Sequence, residues 1–401
     1  MQKKTYIKRE FIGLMASLMS IVAISIDALL PALPEIGNHL NVVNKSDNQL
    51  LITMIFLGIG FGQLIFGPLS DSFGRKPIVY IGFTLFIIAS IICVTTKNFE
   101  VMLVGRILQG VGLSSPRSIA LSMIRDMFSG DQMAKVMSMI VMFFILVPVV
   151  APTIGQWIIT LFNWQFVFYF NLIFGIVIML WFWIRQPETL PREKRIKFSP
   201  LLFINGTKEF IKHKEAVAFT FVSGFITGSF MVYLSTSQQV FQVQYSLAEL
   251  FPYIFASLAL SIGLATYLNS RLVEKYGMYR MAFTASIAYS VVSILYVILF
   301  YSGNNPSIFV LLGFFGLQFF AVGFLFGNLR AIAMQPLGHI AGIGAAINGF
   351  ISTVIAVPVA NYIGKFVSTS VLPLFIGFSI FGVLSVSVFV IMRKTTPKIT
   401  A

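Results

Sequence analysis

Between Phe11 and Met392 the sequence presents twelve runs of about twenty apolar residues, each long enough as a helix to cross the hydrocarbon core of a bilayer. No other feature constrains the fold as tightly. With 57% hydrophobic and 10% charged residues, the chain also lacks the polar side chains a water-facing surface of this size needs. The sequence therefore predicts an all-α polytopic membrane protein with twelve transmembrane helices. Expected spans are 11–33, 49–69, 77–95, 101–128, 134–159, 164–184, 216–238, 250–268, 281–301, 308–334, 342–367 and 372–392. Most connections are a few residues long. The exception is 185–215, which carries eight Lys and Arg with Pro187, Pro191 and Pro200 and divides the spans six and six. We expect a six-helix bundle over 1–184, a cytoplasmic linker over 185–215 and a second six-helix bundle over 216–401.

A net charge of +14 invites nucleic acid as a partner, but the basic residues follow the membrane instead. With both termini cytoplasmic, 23 of the 28 Lys and Arg fall in the tails, the inner loops or the helix ends beside them. Lys3, Lys4, Lys8 and Arg9 precede an apolar run as in a signal peptide, yet 11–30 is too long and lacks a small-residue cleavage site, so it reads as a retained first span. The lone Cys93 leaves no disulfide to form. His39, His213 and His339 fall in loops or at helix ends, which removes an intramembrane metal site or histidine relay.

Two arginines lie inside the fourth span. Arg106 and Arg117 are eleven residues apart, which at about 100° per residue returns them to within about 20° of one face, with Gln109 and Gly110 between. An arginine at mid-bilayer costs from a few to more than about ten kcal/mol, so this face should look into a bundle or a wet cavity. Asp27 is the sole carboxylate placed within a span. In a straight first helix it lies about 9 Å below the outer end, and Arg106 lies about 8 Å below its own outer end, so their depths match. A buried carboxylate beside an arginine stays ionised, and withdrawal of the arginine favours proton uptake. Asp27 is thus the expected proton-coupling residue with Arg106 as its switch, the alternative being a permanent structural ion pair. Arg117 either meets substrate or caps carbonyls and answers Asp27. One acid against two bases favours neutral polar or anionic substrates.

The two halves echo one another. Gly74 in GPLSDSFGRKP (67–77) falls 203 residues before Gly277 in NSRLVEKYGMYR (269–280), Asp71 falls on Glu274, and Pro152 has a counterpart near Pro358. The loop 67–77, the run Gly105-Arg106-Ile107-Leu108-Gln109-Gly110-Val111-Gly112, and Ala151-Pro152-Thr153-Ile154-Gly155 each resemble a signature of the major facilitator superfamily, in particular of its drug:proton antiporters. Ser25-Ile26-Asp27, Leu30-Pro31-Ala32-Leu33-Pro34 and Glu188-Thr189-Leu190-Pro191 are similar to its bicyclomycin-resistance (chloramphenicol/florfenicol) branch. The resemblance covers nearly the whole chain. It implies two six-helix bundles working by alternating access, a conformational latch at the inner ends of spans two to four, and a kinked fifth span sealing the outer half of an exporter. The latch falls on Gly67, Asp71, Gly74, Arg75, Arg125 and Asp126; the alternative is ordinary inside-positive charge. Ser72 stands where many relatives have arginine. The kinked element falls on Pro148, Pro152 and Gly155, with Gln156 in place of the usual second glycine.

Gln109, Gln238, Asn328 and Asn348 join Arg117 as candidate substrate-binding residues, although amides can equally bond between helices. Gly58 and Gly62, and Gly338, Gly342 and Ala346, have spacing for close helix contacts. The spans hold no paired carboxylates, no nucleophile with a base, no charged ring and no phosphate-binding glycine loop, which argues against an enzyme, a channel and an ATP-driven pump. The expected function is proton-coupled efflux of small neutral or anionic drug-like compounds from the bacterial cytoplasmic membrane, by a monomer that takes energy from the proton gradient and holds no cofactor. Its partners are the small-molecule substrate, protons and the lipid bilayer. The alternatives are export of an endogenous metabolite such as a siderophore, and an importer or symporter of the same fold.

Overall fold

A computed structural model describes residues 9–197 and 199–395, and every regular element among them is helical. Lys3, Lys4 and Lys8 lie outside the described residues. The chain forms two compact units, the first ending at Pro200 and the second beginning at Leu201. In the first unit α1 (Arg9–Asp27) and the short α2 (Leu33–His39) are followed by α3 (Leu50–Phe73), α4 (Arg75–Thr95), α5 (Phe99–Met127), α6 (Gly130–Leu161) and α7 (Gln165–Arg185). The second holds α8 (Pro200–Lys212), α9 (Lys214–Gln238), α10 (Phe251–Tyr276), α11 (Met278–Leu299), α12 (Ile308–Met334), α13 (Ala341–Gly364) and α14 (Leu372–Thr395).

Ten helical stretches among the described residues are long and apolar enough to cross a membrane. The helices α5 and α6 complete the twelve. Arg106, Gln109, Arg117 and several serines lower the hydropathy of α5, yet its 29 residues reach about 43 Å. In α6 the apolar part is Leu146–Leu161. Outward-facing aliphatics repeat along the spans, as with Ile81, Ile88 and Ile91 on α4 and Ile173, Val177, Leu180 and Ile184 on α7. That spacing lines one helix face with hydrocarbon for lipid.

The first span departs from the straight helix expected over 11–33. Regular α1 stops at Asp27, a 3-10 turn covers Leu30–Ala32, and α2 restarts at Leu33. Pro31 has no N–H to offer the Asp27 carbonyl, and Pro34 has none for that of Leu30, so the ladder fails twice in succession. Depths counted along an unbroken helix therefore do not hold beyond Asp27.

Packing in the first unit centres on α5, which lies against α3 and α4. A Cβ on Gly58 would land on the Ile107 carbonyl and one on Gly110 on the Ile55 carbonyl, so α3 and α5 touch backbone to backbone. Gly338 and Gly342 differ from expectation: a Cβ there would meet nothing within 4 Å. The internal echo appears in the backbone, since Gly74 joins α3 to α4 at φ +103° and Gly277 joins α10 to α11 at φ +78°. Both turns need the left-handed region that glycine enters without steric cost.

Candidate functional site

The arginine of α5 is 1% exposed and grips the broken end of α1. Both terminal guanidinium nitrogens of Arg106 donate to the Ser25 carbonyl, at 3.3 and 3.2 Å. In an intact helix that carbonyl would accept from the Leu29 N–H, which here donates to Ile26. Arg106 thus satisfies an orphaned carbonyl at the negative end of the α1 dipole. Its Nε donates to the Leu51 carbonyl at 2.8 Å, and Nη1 donates to Gln109 Oε1 at 2.9 Å. The Gln109 amide in turn donates to Ser90 Oγ on α4 at 2.8 Å, and the guanidinium lies 5.9 Å from the Phe168 ring centroid. Arg106 and Gln109 together tie α1, α3, α4 and α5.

Asp27 sits two residues beyond Ser25 and is 5% exposed. No ion pair joins it to Arg106 among the described residues, which corrects the depth-matched pair expected from the sequence. Four of its five guanidinium N–H groups donate to backbone carbonyls and Gln109. The glycine of the fifth-span motif reaches the same place: a Cβ on Gly155 of α6 would collide with the backbone of Ala28, lying 2.8 Å from its carbonyl carbon. Pro148 and Pro152 lie within a continuous α6, and Gln156 buries its Oε1 without a hydrogen-bond partner among the described residues.

A second cluster closes the α3–α4 turn. Arg75 is 6% exposed and donates to Asp71, to Asp126 at 2.9 and 3.4 Å, and to Ser70 Oγ at 2.8 Å. The expected latch residues Asp71, Gly74, Arg75 and Asp126 therefore meet. Two others do not join them. Arg125 is exposed and donates to Ser122 within its own helix, and Gly67 lies inside α3 with open space around it. Sequence reasoning missed the segment that completes the cluster. Glu188 accepts from the N–H groups of Arg75 and Lys76, the first two residues of α4, and from those of Thr189 and Leu190, all at 3.0 Å. Thr189 Oγ1 donates to Asp126 at 3.0 Å, and the Ile196 N–H donates to the Asp71 carbonyl at 3.1 Å. The signal was present in the run Glu188-Thr189-Leu190-Pro191, but nothing local says what it caps.

The remaining candidates for substrate binding are mostly engaged inside the protein. Asn348 donates to Thr220 Oγ1 at 2.6 Å, joining α13 to α9. Asn328 donates to Asn269 Oδ1 at 2.7 Å, joining α12 to α10. Gln238 donates to Gln242 Oε1 at 2.9 Å across the π-helical turn after α9. With Gln109 these are interhelical or local ties, the alternative that amides always leave open. Arg117 is half-buried on α5, directly after Pro116. Arg330, near the inner end of the α12 span, is exposed and forms no ion pair among the described residues.

Comparison with known proteins adds a family. The one described as Major Facilitator Superfamily matches residues 15–360. The chain is 29% identical to an uncharacterized MFS-type transporter, YdgK, of Bacillus subtilis (strain 168), over 89% of this chain and 90% of that protein. It is 31% identical to a bicyclomycin resistance protein homolog of Haemophilus influenzae over 69% of each chain. Among solved structures, a D-xylose-proton symporter superposes with TM-score 0.73 at 15% identity, covering 96% of this chain and 97% of that one. The human organic anion transporter MFSD10 superposes with TM-score 0.67 at 16% identity over 96% and 99%.

Proposed function

The chain belongs to the major facilitator superfamily and is a multi-pass membrane transporter rather than an enzyme, and on that premise we propose that it exports small neutral or anionic compounds across the bacterial cytoplasmic membrane in exchange for protons. The observation that carries the proposal is Asp27. It is the one carboxylate away from the helix mouths, it is buried at the break of α1, and no hydrogen bond or ion pair holds it among the described residues. Burying an uncompensated charge is costly, and binding a proton removes that cost. The Ser25 carbonyl held by Arg106 and the Ala28 backbone held against Gly155 flank this carboxyl on both sides in sequence. A shift of α5 or α6 therefore changes the surroundings of Asp27 and links its protonation to helix movement.

The role of Arg106 in this reading is to position the broken end of α1 rather than to neutralise Asp27. Export is favoured by the relatives, one of which bears the name of a bicyclomycin resistance protein homolog. The substrate class follows from charge: Arg106 and Arg117 stand within a span of the first unit, whose interior carboxyl is Asp27 alone. The cluster of Asp71, Arg75, Asp126 and Glu188 serves as the latch, the energy source is the proton gradient with no resident cofactor, both termini are cytoplasmic, and the unit of function is the monomer.

The test is transport by purified protein in proteoliposomes, with amphenicols, bicyclomycin, sulfonamides and a carboxylate siderophore as candidate substrates. We expect a pH gradient to drive uptake of at least one of these into inside-out vesicles, and Asp27→Asn to abolish gradient-driven movement while leaving substrate binding and counterflow exchange. Gradient-driven transport by Asp27→Asn at the parental rate would remove Asp27 from the coupling.

A further inference from the structure

The helix α8 lies outside the transport machinery, and its two sides differ in kind. One side is buried within its own unit: Phe210 is 1% exposed, and a Cβ on Gly206 would lie 2.5 Å from Ile343 of α13. On the other side Leu201, Ile204 and Ile211 are 62%, 50% and 64% exposed. At about 100° per residue these three, with Lys208 and Lys212, fall within an arc of about 100°, and Gly206 and Phe210 fall roughly opposite. Three aliphatic side chains on one exposed arc are poorly suited to water. The helix is also too short to cross a bilayer, because thirteen residues span about 20 Å.

Connectivity says what covers that arc. Only His213 separates α8 from the spanning helix α9, and its φ of −89° and ψ of 93° break the helix there. The end of α8 is therefore held within one residue of a membrane mouth. The stretch 185–215 has eight Lys and Arg against four glutamates, and one of those, Glu209, is bonded to Lys212 at 3.0 Å. Lys208 and Lys214 are exposed and form no ion pair among the described residues. A short helix whose exposed arc carries aliphatics with lysines among them lies in the interfacial plane, its aliphatics reaching the acyl chains and its ammonium groups at the headgroups. We propose that α8 is an in-plane anchor that binds a lipid surface rich in anionic headgroups, the cytoplasmic leaflet on the orientation given above. The anchor does not depend on proton coupling or on the direction of transport.

The test uses the full chain carrying Cys93→Ser, with a nitroxide on Ile204→Cys or Ile211→Cys and, as a water-facing control, on Arg192→Cys. Each is reconstituted in phosphatidylcholine with and without phosphatidylglycerol, and collision with oxygen and with a neutral nickel chelate is measured. We expect the labels at 204 and 211 to be open to oxygen and shielded from the chelate, the shielding to grow with phosphatidylglycerol, and Lys208→Glu to reverse that growth by about fivefold in the oxygen-to-chelate ratio. Labels as open to the chelate as the one at 192 would overturn the anchor. Labels closed to both probes would mean cover by protein and would overturn it equally, and shielding indifferent to phosphatidylglycerol and to Lys208→Glu would overturn the preference for anionic lipid.

Discussion

Replacing Glu188 by alanine isolates the strap that follows α7. The carboxylate accepts four backbone N–H groups, two at the start of α4 and two in the strap itself, and it is half-buried. Water can reach the site, so the loss is on the scale of a helix cap, about 0.5–2 kcal/mol, rather than of a buried orphan. The negative charge at the positive end of the α4 dipole adds about 0.3–1 kcal/mol. Together these make local opening easier by about 1–3 kcal/mol, which is roughly a 5- to 150-fold increase in the open population. Hydrogen exchange followed by mass spectrometry reads this directly, with peptides covering 71–82 and 186–196 exchanging faster in Glu188→Ala by that factor while peptides from α11 and α14 stay unchanged. Glu188→Gln should fall between parent and alanine, because one oxygen can still accept three of the N–H groups while its amide nitrogen opposes the Lys76 N–H. If 186–196 loosens in Glu188→Ala but 71–82 keeps its parental rate, the strap does not hold the α3–α4 turn and the reasoning fails.

Two further outcomes follow from the hydrogen bonds. Arg75→Ala should destabilise the purified protein by about 1.5–3 kcal/mol in thermal unfolding, since it removes the charged hydrogen bonds to Asp71 and Asp126, although Asp126 keeps Thr189 Oγ1 and Ser70 keeps the Gly67 carbonyl, whereas Arg125→Ala should stay within about 0.5 kcal/mol of parent; equal losses would return Arg125 to the latch. Within the second unit Thr220→Val should cost more than Asn348→Leu, by about 0.5–2 kcal/mol, because the first orphans a buried amide while the second leaves a hydroxyl that can bond to its own helix; the double variant in the same assay should lose less than the two single losses combined.

What could be read in advance divides by range. The spans were legible because hydrophobic length is a property of contiguous residues, and the α3–α4 turn was legible because Gly74 and its echo at Gly277 sit at equivalent places in two halves. The break in α1 was also present in Pro31 and Pro34, but the apolar run continues through them and hides it. The partners of Asn348, Asn328 and Gln109 were not legible, since Thr220, Asn269 and Ser90 lie 128, 59 and 19 residues away and no local pattern marks them. Arg125 and Asp126 show the same limit at one residue's distance: adjacent on a helix, they point about 100° apart, and only one reaches Arg75.

The broken helix changes what the arginine of α5 is for. On a continuous first span every carbonyl near Asp27 would be bonded within the helix, and a guanidinium arriving there would have the carboxylate as its natural partner. Once Pro31 ends the ladder at Asp27, the last turn of α1 offers unsatisfied carbonyls, and Arg106 takes the one at Ser25 with two donors. The charge that would have paired with Asp27 is spent on the backbone beside it, and the carboxyl is buried with no ion pair among the described residues. Gly155 matters for the same reason: with no side chain it lets α6 press on Ala28, so the segment that carries Asp27 is held from two helices by backbone contacts. Under the proposed exchange for protons, a carboxyl whose neighbours are held by α5 and α6, and which no hydrogen bond or ion pair holds among the described residues, is the group whose surroundings a shift of those helices would alter.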